Sequence, residues 1–597
     1  MRPKARILLS IAAAPFLTAA AVAARTQPRP APQKPARILL EPCDVPGLPG
    51  KARCGTYEVH ENRGTRRGRK IRLKIVELPA TGKDPAPEPL AFINGGPGES
   101  ATEAAAGLAQ EFAKVRQRHD ILLVDQRGTG GSHPLNCEMF VPPDNLQSYL
   151  RDFFPPDSVR TCRERLAKDA DLTLYTTPIA MDDLDEVRAA LGHERLNLFG
   201  GSYGTRAALV YLRQHPEHVR TATLQGVVPT DDRMPLHIPQ KSERALSGIF
   251  DECAAEAACH EAFPDLREES RSVFDRLSRA PAAVRILHPQ TGDPAEVSLS
   301  HDLAAEAVRY MLYSPAAAGE IPIVLHQAAL GDFTPLAERA LFGRQQIVAS
   351  GSNGLYLSIT CAEDVPWIRA GEGERAAEGT FLGDYRLRQQ RAACALWPRG
   401  RIPKDYLEPV RSTAPALLLS GMWDPATPPS DGEMVAKFLP NGLHVVVPHG
   451  GHSYEGLEGV DCVKNLAADF IERGTTKGLD TSCVDKIRRP AFRVAPMETK
   501  LIRLEESELV KLAGSYLEEG KPVVMTVEVH EGKLIFAAPG EKLILAPVSP
   551  TRFRVASYPG LLMTFEVVDG QIHSLVVTQG GSPVHRLVPK KEGEPVR

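Results

Sequence analysis

From about residue 71 onward, short apolar runs take turns along the chain with stretches whose apolar positions recur at helical spacing. Residues 71–78 alternate apolar and polar, as a half-buried strand does. Residues 90–93, 121–124 and 196–199 are short apolar runs of the buried-strand kind, and 221–224 reads as a further strand. The first of these runs stops at Asn94-Gly95-Gly96-Pro97-Gly98 and the second at Asp125. Between the strands, 101–115, 182–191 and 206–215 have helical spacing. Strands alternating with helices over this length predict a mostly parallel sheet with helices on both faces, an α/β fold.

The pattern changes after Pro229. Residues 231–407 read as mainly helical, with few buried-strand runs. The alternation then returns, with strands at 416–420 and 444–447 and helices at 432–438 and 463–473. The simplest account is an α/β core in two parts, 37–230 and 408–490, interrupted by a helical cap at 231–407. Such a cap lies over the C-terminal ends of the strands, where open α/β sheets keep their sites. Residues 500–597 differ again. A short helix at 507–512 precedes strand-like pieces at 523–529, 533–537, 543–547, 553–556, 562–568 and 572–578. Turns such as Glu531-Gly532 and Asp569-Gly570 separate them, which predicts a small antiparallel β domain. No period of 20–50 residues marks a repeat architecture.

Composition narrows the function. Lys plus Arg number 71 and Asp plus Glu 74, a net charge of −3, so nothing in the balance calls for nucleic acid or an anionic surface as partner. At the N-terminus, Arg2, Lys4 and Arg6 precede an Ala-rich apolar stretch ending in small residues at Ala21 and Ala23. Residues 1–24 read as a signal peptide removed after export, and 25–36 as a Pro-rich spacer. The apolar stretch is short and broken by Pro15, which argues against stable membrane insertion after signal removal. The ten cysteines contain no C-x-x-C, so zinc and thioredoxin-like redox sites are not indicated. Their even number and spacing accommodate five sequential short-range disulfides, with connectivity open. The expected location is secreted or periplasmic.

The strongest chemical signal is Gly200-Gly201-Ser202-Tyr203-Gly204, a G-x-S-x-G with a strand before it and a helix after it. In that setting the serine occupies a sharp strand-to-helix turn, with its hydroxyl held above the sheet. A serine hydroxyl is a poor nucleophile until a base takes its proton. In this arrangement the partners follow in the order serine, acid, histidine. Asp424 follows the strand at 416–420, and His452 follows the strand at 444–447. His452 is the expected general base, with His449 as the alternative, and Asp424 the orienting acid. The oxyanion needs two backbone donors: the amide of Tyr203, after the nucleophile, and that of Gly96 in the glycine-rich loop, beside Gly95 as substrate-lining backbone. No metal or organic cofactor is needed for such chemistry. Asp125 and Arg127 read as braces for nearby loops, and His119 as an ordinary surface residue.

These segments resemble the serine peptidase family of α/β-hydrolases that holds prolyl aminopeptidases and tripeptidyl aminopeptidases. Residues 94–100 (NGGPGES) are similar to its oxyanion loop and 125–132 (DQRGTGGS) to the segment beyond. The tripeptidyl aminopeptidase branch is resembled over 175–229, at Cys253 and Cys259, at Cys361-Ala362-Glu363-Asp364, and at Cys462 with Cys483. The resemblance spans roughly 40–490. The tail looks like small β domains appended to some secreted peptidases and β-lactamase-like proteins. The resemblance implies an α/β-hydrolase fold and a peptide substrate with a free N-terminus, whose ammonium pairs with a cap carboxylate: Glu363 first, then Asp364 and Glu99. An esterase with the same triad is the alternative, because fold does not decide substrate. An inactive binding protein is a third reading, disfavoured because all three triad residue types are present in order.

Overall fold

The structure is a computed structural model and describes residues 37–139, 145–518, 523–538, 540–579 and 582–590. The expected signal peptide and spacer lie outside the described residues.

Among the described residues, eleven strands precede residue 450. They are β1 (Glu41–Cys43), β2 (Ala52–His60), β3 (Lys70–Leu78), β4 (Leu90–Ile93), β5 (Ile121–Val124), β6 (Leu196–Gly201), β7 (Val219–Gln225), β8 (Ala282–Leu287), β9 (Pro294–Leu299), β10 (Ala416–Gly421) and β11 (Gly442–Val447). Nine of them form one sheet in the order β1-β2-β3-β5-β4-β6-β7-β10-β11. The first three are an antiparallel edge, and every pairing from β5 to β11 is parallel. Adjacent side chains along each central strand point to opposite faces. Leu122, Leu198 and Leu418 pack on one side with the helices Thr177–Leu191 and Tyr203–Gln214. Leu123, Phe199 and Leu417 pack on the other with Ala105–Glu111 and Asp461–Arg473. Burial on both faces explains why these strands are short, nearly continuous apolar runs rather than alternating ones.

The first helix is shorter than its Ala-rich sequence suggests. It starts at Ala105, because Asp125 holds the preceding turn: it accepts from the Ser100 hydroxyl (2.8 Å), the Thr102 amide (2.9 Å) and the Thr102 hydroxyl (2.9 Å). His119, expected on the surface, is buried, and its Nδ1 is 2.7 Å from the Glu88 carbonyl.

The stretch between β7 and β10 is mainly helical, including Ile238–Ala255, His301–Met311, Thr334–Ser350, Asn353–Glu363 and Tyr385–Leu396. It also holds one antiparallel hairpin, β8 with β9. Val284 and Ile286 face in while Ala283 and Arg285 face out, an alternation too short to stand out beside long helical segments.

In the tail, eight antiparallel strands close a barrel. Six of them match the expected segments. The two missed, Gly514–Glu518 and Ser582–Pro589, pair with each other and complete the closure. Pro583 and Pro589 weaken the strand signal of the last. Tyr516, Phe553, Phe565 and Leu575 fill the barrel interior. The barrel leans on the cap through Lys533 Nζ, 2.6 Å from Asp293 Oδ1, and through the Arg554–Glu338 ion pair.

All ten cysteines pair, in sequential order: Cys43–Cys54, Cys137–Cys162, Cys253–Cys259, Cys361–Cys394 and Cys462–Cys483. Among the described residues no helix is long and apolar enough to cross a membrane.

Candidate active site

β6 ends at Gly201 and the next helix begins at Tyr203, so Ser202 alone makes the connection. Its φ of 53° and ψ of −124° are strained for a residue with a Cβ. The tightness comes from the crossing of strand and helix. A Cβ on Gly204 would stand 2.0 Å from the Ile93 carbonyl oxygen, and one on Gly200 2.5 Å from that of Gly204. The Ser202 amide donates to the Gln225 carbonyl at the end of β7 (2.9 Å), which fixes the turn to the sheet.

The parallel register of β10 and β11 sets Gly421 beside Val447, so the loops that leave them are neighbours. Asp424 and His452 meet there, with His452 Nδ1 2.8 Å from Asp424 Oδ2. Asp424 is fully buried. Its Oδ1 accepts from the amides of Ala426 (2.7 Å) and Thr427 (2.8 Å), and its Oδ2 from the Thr427 hydroxyl (2.6 Å). Burial alone would raise its pKa. The His452 charge and the hydrogen bonds from His452 and Thr427 outweigh it and hold the carboxyl down at about 2. On the cap side, the Tyr313 ring lies 4.7 Å from the imidazole, centre to centre, and the Ser453 amide donates to the Tyr313 carbonyl (2.7 Å). His449 is held elsewhere, its Nδ1 2.7 Å from Glu252 Oε1.

Ser202 and His452 line one cavity of about 420 Å³ beneath the cap, together with Gly95, Gly96, Glu99 and Tyr203. No hydrogen bond joins the Ser202 hydroxyl to His452 among the described residues. Such bonds are often long without substrate and tighten when it binds. Asn94 shapes the glycine-rich loop: its Oδ1 accepts from the Gly95 amide (2.9 Å) and its Nδ2 donates to the Ser100 carbonyl (3.0 Å). The Gly96 and Tyr203 amides have no protein acceptor among the described residues. Two unpaired N–H groups beside one hydroxyl can bind a developing oxyanion.

The carboxylates expected to meet substrate divide. Glu363 is fully buried and absent from the cavity wall. It accepts from the Thr177 amide (2.6 Å), the Thr177 hydroxyl (2.8 Å) and the Tyr406 hydroxyl. Thr177 in turn holds the Tyr203 hydroxyl at 2.7 Å. The expectation of a substrate-facing Glu363 is therefore not met, because its oxygens serve the packing under Tyr203. Asp364 is likewise buried, paired with Arg206 at 2.7 Å. Glu99 alone of the three lines the cavity. It has no hydrogen-bond or ion-pair partner among the described residues, and burial raises its pKa despite the opposing charge of His452. Sequence reading missed Thr427 and Tyr313. The Asp424-Pro425-Ala426-Thr427 turn is a local signal for the first, since an aspartate commonly caps the amides just after it. Nothing local marks the second.

The fold and this geometry define a hydrolase of the α/β class. The chain belongs to the α/β-hydrolase fold family, whose model matches residues 88–454. Among individual proteins, it is 27% identical over 469 residues to the serine protease Hip1 of Mycobacterium tuberculosis, covering 73% of this chain and 88% of the relative. It is 26% identical over 469 residues to a tripeptidyl aminopeptidase of Streptomyces lividans (73% and 84%). It is also 26% identical over 466 residues to carboxylesterase B of Mycobacterium tuberculosis (72% and 86%). The chain is a serine hydrolase of this family with peptidase-named relatives.

Proposed function

We propose that this enzyme is an exported aminopeptidase that releases short peptides or proline-containing residues from free peptide N-termini. Ser202 attacks the scissile carbonyl while His452 takes its proton. Asp424 holds the imidazole in the correct tautomer and stabilises its charged form. The amides of Gly96 and Tyr203 receive the oxyanion. His452 then returns the proton to the leaving amine, and water repeats the sequence on the acyl-enzyme. The observation that carries the reading is Glu99, an unpaired carboxylate in the same cavity as Ser202. A substrate ammonium placed there makes a charge-assisted contact that fixes which bond reaches the serine. Five disulfides support an oxidising compartment, hence export.

The test compares matched peptides with free and acetylated N-termini, in the wild-type enzyme and in Ser202→Ala. The expected result is turnover of the free peptides only, lost in the variant. Equal turnover of both forms would favour an esterase-like acyl hydrolase, the reading supported by the carboxylesterase B relative.

A further inference from the structure

The wall of the cavity facing the triad comes from the cap and is cationic. Arg309 on the helix His301–Met311 and Arg386 on the helix Tyr385–Leu396 both line it. They share one carboxylate. Arg309 Nε is 3.2 Å from Glu306 Oε1, and Arg386 Nη1 pairs with the same oxygen, while the Tyr385 hydroxyl donates to Oε2. Glu306 is the only carboxylate within ion-pair distance of either guanidinium among the described residues. It is 2% exposed, and although burial alone would raise its pKa, the arginines hold it at about 2, so it stays charged. Two cations against one anion leave a positive excess on this wall. Arg309 Nη1 also holds the Tyr313 hydroxyl (2.8 Å), which ties the wall to the residue packed on His452.

Two further observations point the same way. Tyr356 also lines this cavity, its hydroxyl buried beside the Arg386 guanidinium. The other acid on the lining besides Glu99 is Asp232, and it is already matched by Lys241 at 3.3 Å. A half-compensated cation pair is costly unless a ligand satisfies it. Guanidinium groups suit a carboxylate above other anions of peptide origin.

We propose that Arg309, Arg386 and the Tyr356 hydroxyl form a carboxylate-binding subsite in the cap wall, so that the enzyme selects substrates carrying an anionic group opposite Ser202. The subsite rests on the peptidase reading only for the kind of molecule that brings the carboxylate. In a peptide, the source is either its own C-terminus, which limits chain length, or an acidic side chain.

The test measures kcat/KM on matched pairs that differ only in this charge. One set has a free or amidated C-terminus, a second has Glu or Gln at each position, and a third is the p-nitrophenyl ester of hemisuccinate against that of butyrate. The wild type should prefer the anionic member by about tenfold or more, the range of a hydrogen bond to a charged group. Arg386→Gln and Arg309→Gln should each pull that ratio toward one, and Arg386→Lys should keep part of it. A preference that follows amidation identifies the C-terminus, and one that follows Glu against Gln identifies a side chain. Failure of every peptide with a persisting preference among the esters overturns the peptidase reading and leaves the subsite standing. Calorimetric titration of butyrate and of uncharged butyramide into the wild-type chain needs no variant and should show tighter binding of the carboxylate. Equal binding of the two, or a charge preference unchanged in both glutamine variants, overturns the subsite.

Discussion

The Thr427 hydroxyl and His452 Nδ1 converge on a single oxygen of Asp424, at 2.6 and 2.8 Å. The acid thus has a fixed orientation before the histidine is considered, since two backbone amides hold its other oxygen. Asp424→Asn would keep that cradle but present an amide to the imidazole and favour the wrong tautomer. The expected outcome is a fall in kcat of roughly 10³–10⁴-fold with little change in KM. Thr427→Val, which removes one bond and leaves the carboxylate, should cost about tenfold. Steady-state kinetics on a peptide with a free N-terminus checks both, and equal losses in the two variants would contradict this division of roles.

The same aspartate makes stability depend on pH. Its folded pKa, about 2, lies below the ordinary 3.8. A depressed carboxyl stabilises the folded state above its unfolded pKa, and that contribution is lost as pH falls through the folded one. A shift of nearly two units corresponds to about 2 kcal/mol, present above roughly pH 4 and gone near pH 2. Thermal midpoints of the wild type and Asp424→Asn should therefore draw together below pH 4. A gap that stays constant from pH 6 to pH 2 would show that the carboxylate has no such role.

What could be read in advance follows how local each feature is. Ser202 is legible because its turn is written in five consecutive residues. The meeting of Asp424 with His452 is legible because each follows a strand, and the β10–β11 register brings strand ends together without help from the cap. The placements of Glu363 and Glu99 are not legible. Both are acids near small residues in sequence, and only the packing of the helix Asn353–Glu363 against Thr177 and Tyr406 buries the first and leaves the second at the cavity. Arg309, Arg386 and Tyr313 depend wholly on where the cap helices lie. The closing barrel strand was hidden by its own prolines.

In the proposed mechanism Glu363 acts through Tyr203. Its oxygens hold Thr177 and Tyr406, and Thr177 holds the Tyr203 hydroxyl, so the residue proposed to supply an oxyanion donor is braced from below. Glu363→Gln should lower kcat while leaving the ratio between free and acetylated substrates unchanged. It should also cost about 1–3 kcal/mol of stability, the range for a disturbed buried acceptor. Kinetics on both substrate forms with a thermal midpoint separates this role from substrate binding. A variant that loses the preference for free N-termini would place Glu363 in contact with substrate after all.

Glu99 should show the opposite pattern. It lines the cavity, has no protein partner among the described residues, and burial raises its pKa from the ordinary value, with His452 opposing in part. Only its ionised form can pair with a substrate ammonium. Because its pKa is raised, protonation on acidification begins at a higher pH than for an exposed glutamate. For free-amine peptides, kcat/KM should therefore rise with pH through the pKa of Glu99, while a neutral ester substrate lacks that step. Glu99→Gln should abolish the step and cut the preference for free over acetylated peptides by about 10–100-fold, the worth of a charge-assisted contact. pH–rate profiles of wild type and variant on both substrates give the answer in one data set. If the variant keeps both its preference and the step that the neutral ester lacks, the ammonium is held elsewhere, and this carboxylate has another task.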